Sequence, residues 1–473
     1  MTYAQPDLNQ LELLRACVGA EHISQAPEVL EIHSKDETED LRYLPEVVVF
    51  PGTAEEVAAI LRICNDHKLA LTTRGAGTGL SGGALPVFGG VVLSTVRLNR
   101  ILEIDTRNLQ ATVEPGVVTE FFQQTVKAEG LFYPPDPSSR GSCFLGGNLA
   151  ESAGGPKAVK YGTTRDYVLN LQVALPSGEL IWTGANVLKN ATGYNLTQLM
   201  VGSEGTLGVI TKVVFRLLPH PQQDLLLLVP FDSLENACAA VSAVFRAGII
   251  PSAMEFMERD AITWSAHYLK QELQLPETVQ AHLLIELDGN YMEQLYLEAE
   301  QIFGIMESFG AGEVMLAEAS HQKEQLWKLR RNVAYAVKAN SIYKEEDTVV
   351  PRAELPVLIK SIKEIGQKYG FKSVCYGHAG DGNVHVNIIR GELDETAWQH
   401  TVKQGIRELF EVVKSLGGTI SGEHGIGLVQ QEYMDILFEP IHFQLMKGIK
   451  SIFDPNGILN PGKIFGDNSS IRE

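Results

Sequence analysis

A glycine-rich loop that no helix follows constrains this chain more than any other feature. An apolar run at 47–50, a Pro51-Gly52 turn, a helix opened by Thr53-Ala-Glu-Glu56 and ending near His67, and a second strand at 69–73 form a β-α-β start. The second strand runs into Arg74-Gly-Ala-Gly-Thr-Gly-Leu-Ser-Gly-Gly-Ala84. Inside it, Gly77-Thr-Gly79-Leu-Ser-Gly82 matches the dinucleotide fingerprint. That fingerprint works only where it opens a helix, whose N-terminus holds the pyrophosphate. Here Pro86, Gly89-Gly90 and the strand-like Val91-Val92-Leu93-Ser94 follow, so the nicotinamide-binding fold is excluded. The loop suits phosphates by another route. Glycine lets successive backbone N–H groups turn inward as an anion nest, and Thr78 and Ser81 add hydroxyls.

Two further small-residue segments follow. Strands are expected at 91–95, 101–105 and 110–114, and a helix from Thr119 to about Glu129. Tyr133-Pro-Pro-Asp-Pro-Ser-Ser139 is a rigid turn ahead of Cys143-Phe-Leu-Gly-Gly-Asn-Leu-Ala150 and Ser152-Ala-Gly-Gly155. A hairpin over Pro176-Ser177-Gly178 joins strands at 168–175 and 179–183. Gly202-Ser-Glu-Gly-Thr-Leu-Gly208 is the third turn, ahead of a strand at 209–218. Pro219-His220-Pro221 reads as a domain boundary. Beyond it strand, helix and strand (225–230, 233–246, 253–257) are repeated (282–288, 291–309, 312–316), a ferredoxin-like order.

Gly377-His-Ala-Gly-Asp-Gly-Asn-Val-His-Val-Asn387 carries the densest chemistry. Asp381-Gly382 is a strong signal for a two-residue hairpin turn. With that turn His378 faces His385, their Cβ atoms about 5 Å apart. Strand alternation puts Asn387 on the same face as His385. After a helix-length stretch (395–416) comes Ser421-Gly422-Glu423-His424-Gly425. A lone histidine at a sheet surface is ordinarily just a satisfied one. Two on one face with Glu423 make an N/N/O ligand set for a divalent metal, and Zn²⁺, Mn²⁺ and Fe²⁺ all suit it. The last helix ends near Phe453, before Asp454-Pro-Asn-Gly457 and Asn460-Pro-Gly-Lys463-Ile-Phe.

A formal charge of −19 argues against nucleic acid or an anionic membrane surface as the main partner. Five scattered cysteines without a CxxC argue against a disulfide framework and fit a reducing compartment. No secretory signal is visible, and the longest aliphatic run, 225–229, is too short to span a bilayer. A charged connector (Lys35, Asp36, Glu37, Glu39, Asp40) follows short N-terminal helices.

The three glycine-rich loops in this order, the His378/His385/Glu423-His424 set and the terminal Asn460-Pro-Gly-Lys463 together resemble the FAD-linked D-2-hydroxy-acid dehydrogenase family. That family spans D-lactate dehydrogenase, the glycolate oxidase flavin subunit and D-2-hydroxyglutarate dehydrogenase, and the likeness covers nearly all of the chain after residue 40. The resemblance implies an α+β fold. Its parts are a helical segment (1–40), an FAD-binding domain of the vanillyl-alcohol-oxidase (PCMH) type (41–220), a ferredoxin-like cap carrying the metal (221–425) and a C-terminal segment returning to the FAD domain (426–473).

It also implies FAD contacts from Arg74, Gly75, Ala76, Gly77, Thr78, Gly79, Leu80, Ser81, Pro135, Asp136, Gly146, Gly147, Asn148, Ser152, Gly154, Glu204, Gly205, Ile210 and Asn460. FAD is expected to be non-covalent, with Cys143 and the histidines the groups for any covalent link. Arg330 is expected to grip a substrate carboxylate through its two-pronged guanidinium, Lys344 is a weaker candidate for the same job, Asn387 orients that carboxylate, and His424 is the general base. The implied reaction moves a hydride from C2 of a 2-hydroxy acid to flavin, with D-lactate favoured because Ala334, one turn after Arg330, is small and apolar. Glycolate, D-2-hydroxyglutarate and a non-catalytic FAD-holding subunit of a larger oxidase stay open. So do the electron acceptor (quinone, cytochrome or electron-transfer flavoprotein) and the assembly, a homodimer included. The expected location is cytoplasmic, with peripheral contact to a membrane through the acceptor as an alternative.

Overall fold

The computed structural model describes residues 3–38, 41–272 and 275–466, so Glu39 and Asp40 of the charged connector lie outside it. The chain forms two compact units. The first comprises Met1–Ala153, Thr163–His220 and Glu423–Glu473; the second comprises Gly154–Gly162 and Pro221–Gly422.

The first unit holds a four-stranded sheet in the order Ile23–Ser24, Val47–Val49, Val91–Ser94, Leu71–Arg74, the last three mutually parallel. Parallel strands covered on both faces read as unbroken apolar runs, and every residue of Val47–Val49 is buried. The helix Ala54–His67 starts where the Thr53 hydroxyl accepts the Glu56 N–H at 3.1 Å. The Glu56 carboxylate reaches back to the N–H of Gly52 at 2.7 Å, one residue earlier than an ordinary capping box. Its Val57, Ile60 and Leu61 pack with Leu11 and Leu14 of the helix Leu8–Val18 and with Ile458 and Leu459. Each such fully buried side chain contributes roughly 1.5–3 kcal/mol. The N-terminal helix therefore belongs to this core and is not a separate segment. The C-terminal stretch extends the sheet edge: Leu71 N–H donates to Ile458 O at 2.8 Å and Asn460 N–H to Leu71 O at 2.7 Å. A second, antiparallel sheet runs Ile101–Asp105, Gln110–Val113, Val209–Arg216, Val168–Ala174, Leu180–Trp182. Residues 145–151, read from sequence as an open small-residue loop, instead form a short helix, Leu145–Glu151.

The second unit is built on a seven-stranded antiparallel sheet. Its order is Met315–Ala317, Gln223–Phe231, Ala281–Gly289, Ala253–Glu258, Lys372–Gly377, Asn383–Ile389, Tyr343–Val349. The first four stand fourth, first, third and second in chain order, the ferredoxin-like arrangement. The other three lengthen the sheet and carry the histidine hairpin. The strand Tyr343–Val349 and the helix Arg259–Tyr268 were not legible in the sequence, because neither has a clear apolar period. The helix expected at 395–416 is a π-turn, Ala397–Thr401, leading into Val402–Ser415.

Gly154–Gly162 leaves the first unit and seats here. Lys157 forms an ion pair with Glu286 and donates to Ser252 Oγ at 3.3 Å. Lys160 donates to Asp288 Oδ1 at 2.6 Å, and Tyr161 to the same carboxylate at 2.9 Å. Among the described residues no helix is long and apolar enough to cross a membrane.

Candidate active site

One face of the seven-stranded sheet gathers the polar residues. The turn between Lys372–Gly377 and Asn383–Ile389 is longer than the two-residue hairpin read from sequence. A 3-10 turn, Ala379–Asp381, fills it, and of Asp381 and Gly382 only Gly382 takes positive φ, at 86°. The register therefore puts Tyr376, not His378, opposite His385. His378 lies past the strand end, yet its ring still meets that of His385 edge-on, centroids 5.4 Å apart. Both are buried. Two imidazoles are thus brought together as expected, by a different backbone route.

The neighbouring strands add carboxylates that sequence reasoning missed. Asp347 pairs with His385 and Glu345 with Asn387, so all four side chains share a face. Glu345 and Asp347 approach His385 Nδ1 at 3.5 and 3.7 Å. Tyr376 donates to Glu345 at 3.3 Å, and burial first, then the Glu345 charge, pushes the phenol well above its usual range. Glu255 comes from Ala253–Glu258, a strand whose six residues are all buried. Both of its oxygens lie 2.9 Å from His378 Nδ1, and one lies 2.7 Å from Arg330 Nη2. Burial alone would raise this carboxyl; the charges of His378 and Arg330 outweigh it and hold it low. The guanidinium of Arg330, 3% exposed, lies 5.1 Å over the Tyr376 ring. Carboxylates in a strand of otherwise apolar residues (Glu255 and Glu258), and the Glu345/Asp347 pair at strand spacing, were the available signals.

Asn387 is fully buried on this face, with Nδ2 3.4 Å from Val374 O and Oδ1 without a hydrogen-bond partner among the described residues. Lys344 is corrected. It pairs with Ile388, which alternation turns away from His385, and its ammonium lies 4.9 Å over the Trp398 ring. Asp347 also holds the end of this unit. Its carboxylate accepts the Gly422 N–H at 2.8 Å and the Ser421 hydroxyl at 3.3 Å. Glu423 and His424 are the next two residues of the chain.

In the first unit the glycine-rich loops converge. Asn460 Nδ2 joins two of them, donating to Gly83 O at 2.9 Å and Glu204 O at 2.8 Å. The Glu204 carboxylate accepts the N–H groups of Ile426 (2.8 Å) and Gly427 (2.7 Å), and Leu428 N–H donates to Ser81 O at 2.7 Å. Gly75 approaches Phe144 and Gly147 of the middle loop. No helix follows the Arg74 loop, so the rejected fingerprint stays rejected.

The comparisons with known proteins agree with this architecture. A family described as FAD binding domain matches residues 45–184, and one described as FAD linked oxidases, C-terminal domain, matches residues 220–464. The chain is 39% identical over 444 residues to "Glycolate oxidase subunit GlcD" of Bacillus subtilis, covering 93% of each. It is 38% identical to "D-lactate dehydrogenase" of Anaerostipes hadrus, covering 89% of each. It is 34% identical to "D-2-hydroxyglutarate dehydrogenase" of Stutzerimonas stutzeri, over 92% of this chain and 94% of that one. The chain belongs to the FAD-linked oxidase family. Its fold is that of p-cresol methylhydroxylase, with a TM-score of 0.80, 19% identity, and 98% and 97% of the two chains covered.

The first unit of this FAD-linked oxidase fits its flavin. A Cβ at Gly79 or Gly147 would meet nothing within 4 Å, and Ser81 Oγ is buried without a hydrogen-bond partner among the described residues, so the loops border open space with a polar lining. Several of the expected FAD-contact residues also make contacts within the protein. Arg74 donates to Lys35 O at 2.6 Å and Ile32 O at 3.4 Å. Asp136 is paired with Arg140 at 2.6 Å, Pro135 O accepts from Gln123 at 2.8 Å, and Asn148 donates to Thr119 Oγ1 at 2.6 Å. A Cβ on Gly146 would lie 2.7 Å from Pro115, so that glycine serves close packing. Ser152 lies 3.4 Å from Thr163, and Ile210 sits within a strand opposite Val173. Gly154 is placed in the other unit. Cys143 is buried against Thr119, and burial pushes its thiol up, which makes it a poor point for covalent attachment.

Proposed function

We propose that this FAD-linked oxidase oxidises a D-2-hydroxy monocarboxylate, D-lactate first and glycolate second, to the 2-oxo acid. The observation that carries the reading is one sheet face holding two buried imidazoles in contact and a buried arginine. The names of the relatives, which concern glycolate, D-lactate and D-2-hydroxyglutarate, support the substrate class. When bound, flavin would take up the hydride from C2, which carries the two electrons, and a divalent metal, zinc first among Zn²⁺, Mn²⁺ and Fe²⁺, would acidify the substrate hydroxyl. His378 and His385 are the residues of the second unit that would hold the metal, and Glu423 is the third ligand expected from the sequence. Glu255 lies at His378 Nδ1, the carboxylate contact that metal-ligating imidazoles make through their other ring nitrogen.

Arg330 binds the substrate carboxylate, keeping guanidinium donors beyond the one turned to Glu255. Asn387 Oδ1 and Nδ2 fix the orientation of the hydroxy acid. His424, next in the chain to Glu423, takes the hydroxyl proton. Glu345 weighs against the hydroxyglutarate alternative: a second carboxylate on this face would meet its charge, and Ala334, which lies in the next helix, Val333–Asn340, and not on that of Arg330, supplies no donor for it. A non-catalytic subunit has no use for the buried His/His/Arg set. Reoxidation falls to a quinone, cytochrome or electron-transfer flavoprotein.

Anaerobic flavin bleaching near 450 nm tests the reading, with D-lactate, L-lactate, glycolate and D-2-hydroxyglutarate, before and after chelation. Bleaching by D-lactate that chelation abolishes supports it. Bleaching that survives complete metal removal overturns the metal, and none with any hydroxy acid overturns the substrate class.

A further inference from the structure

We propose that Glu255 is a positioning residue that sets both halves of the substrate site at once. The inference rests on His378 as a metal ligand and Arg330 as the carboxylate clamp, and adds what holds them in register. Glu255 is fully buried, and among the described residues its two oxygens meet His378 Nδ1 at 2.9 Å and Arg330 Nη2 at 2.7 Å. A buried carboxylate accepts and never donates, so its contact keeps a proton on Nδ1 whether or not the ring is charged, and makes Nε2 the nitrogen that would give up its proton to a metal. The same group fixes the guanidinium from one side, and the Tyr376 ring supports it at 5.1 Å. Arg330 Nε has no hydrogen-bond partner among the described residues and remains for a ligand. One rigid side chain on a central strand thus sets the separation between the metal-facing nitrogen and the carboxylate clamp. That separation is what a 2-hydroxy acid, with hydroxyl and carboxylate on adjacent carbons, demands.

A plain counter-ion for Arg330 makes a different prediction, and Glu255→Gln separates the two. The amide also donates, so it no longer keeps the proton on Nδ1. Zinc affinity of the flavin-loaded, metal-stripped enzyme is measured by competition with a chromophoric chelator. The ¹⁵N shifts of His378 in the metal-free protein report that proton independently. We expect zinc affinity to fall about 10–100-fold with flavin content unchanged, and the Nδ1–H signature of the unaltered protein to be lost. Equal zinc affinity in both proteins overturns the proposal. If E255Q misfolds around the unpaired guanidinium, the double variant E255Q/R330M removes that charge. Weak zinc binding there supports the role in placing the Nδ1 proton, and affinity equal to R330M alone overturns it. An unaltered enzyme that binds no zinc overturns the metal reading instead, and the ¹⁵N shifts then decide on Glu255: an Nδ1–H signature kept in E255Q overturns its role.

Discussion

Gly382 shows how one residue shapes the site. Its φ of 86° is open to glycine, and a Cβ there would lie 1.9 Å from Val350 O. Gly382→Ala should destabilise the second unit by at least about 1–3 kcal/mol and release zinc, while flavin stays bound. An unchanged thermal transition with full zinc occupancy would refute this. The sequence already marks Asp381-Gly382 as a turn; the turn's length was not legible, because the 3-10 turn at Ala379–Asp381 depends on contacts from other segments. A Cβ on Gly380 would sit 2.6 Å from Val159. At the same scale, Arg330→Lys loses the two-pronged guanidinium. The loss of about 1.5–3 kcal/mol expected for a hydrogen bond to a charged group should appear as a KM for D-lactate raised roughly 10–150-fold, with little change in flavin content. Glu345→Gln should raise kcat/KM for D-2-hydroxyglutarate relative to D-lactate; an unaltered ratio would remove Glu345 from substrate selection.

Among the elements, the strand Ala281–Gly289 is central to the second unit and carries His282, buried between Pro230 and Met257. Burial first, and then the charge of Arg259, lower its pKa from 6.5 to about 4. The unfolded chain takes up this proton near pH 6.5 and the native chain only near 4. Between those values the unfolded state binds more protons, so stability falls as pH falls, by on the order of 3 kcal/mol in all, and is unaffected by this group above that window. His282→Leu should flatten the slope of unfolding free energy between pH 6.5 and 4, and an unchanged slope would reassign it. The ferredoxin-like order of this sheet was legible because its strands and helices have clean apolar periods. The strand Tyr343–Val349 was not, since in sequence Lys344 and its three acidic neighbours Glu345, Glu346 and Asp347 suit local ion pairs as well as a buried strand. Only pairing with the Asn383–Ile389 strand sorts them, two toward His385 and two away.

At the scale of the whole molecule, each unit is assembled from stretches distant in sequence. The chain crosses between units four times, at 153/154, 162/163, 220/221 and 422/423. Asn460, far from the loops it joins in the first unit, offers a test of this division. Asn460→Ala removes the two hydrogen bonds that join the loops, of about 0.5–1.5 kcal/mol each, together with the one accepted from Lys463. FAD affinity should fall roughly 5–150-fold with zinc affinity unchanged. Equal loss of both ligands would show that the two sites are not separable in this way.

Composition and motif order determined glycine loops that open no helix, a ferredoxin-like second part, and histidines beside an acidic turn; that these belong to an FAD-linked oxidase came from their resemblance to that family. Those features are local. Turn chemistry, apolar period and the spacing of small residues act within a few residues of one another. Tertiary structure alone decided which polar groups share a face. Glu255, Arg330, His378, Asp347 and Gly422 are far apart in the chain and meet through strand order and register. Burying their charges is tolerable only because each meets an opposite charge or a hydrogen-bond partner there, and no local pattern encodes that pairing.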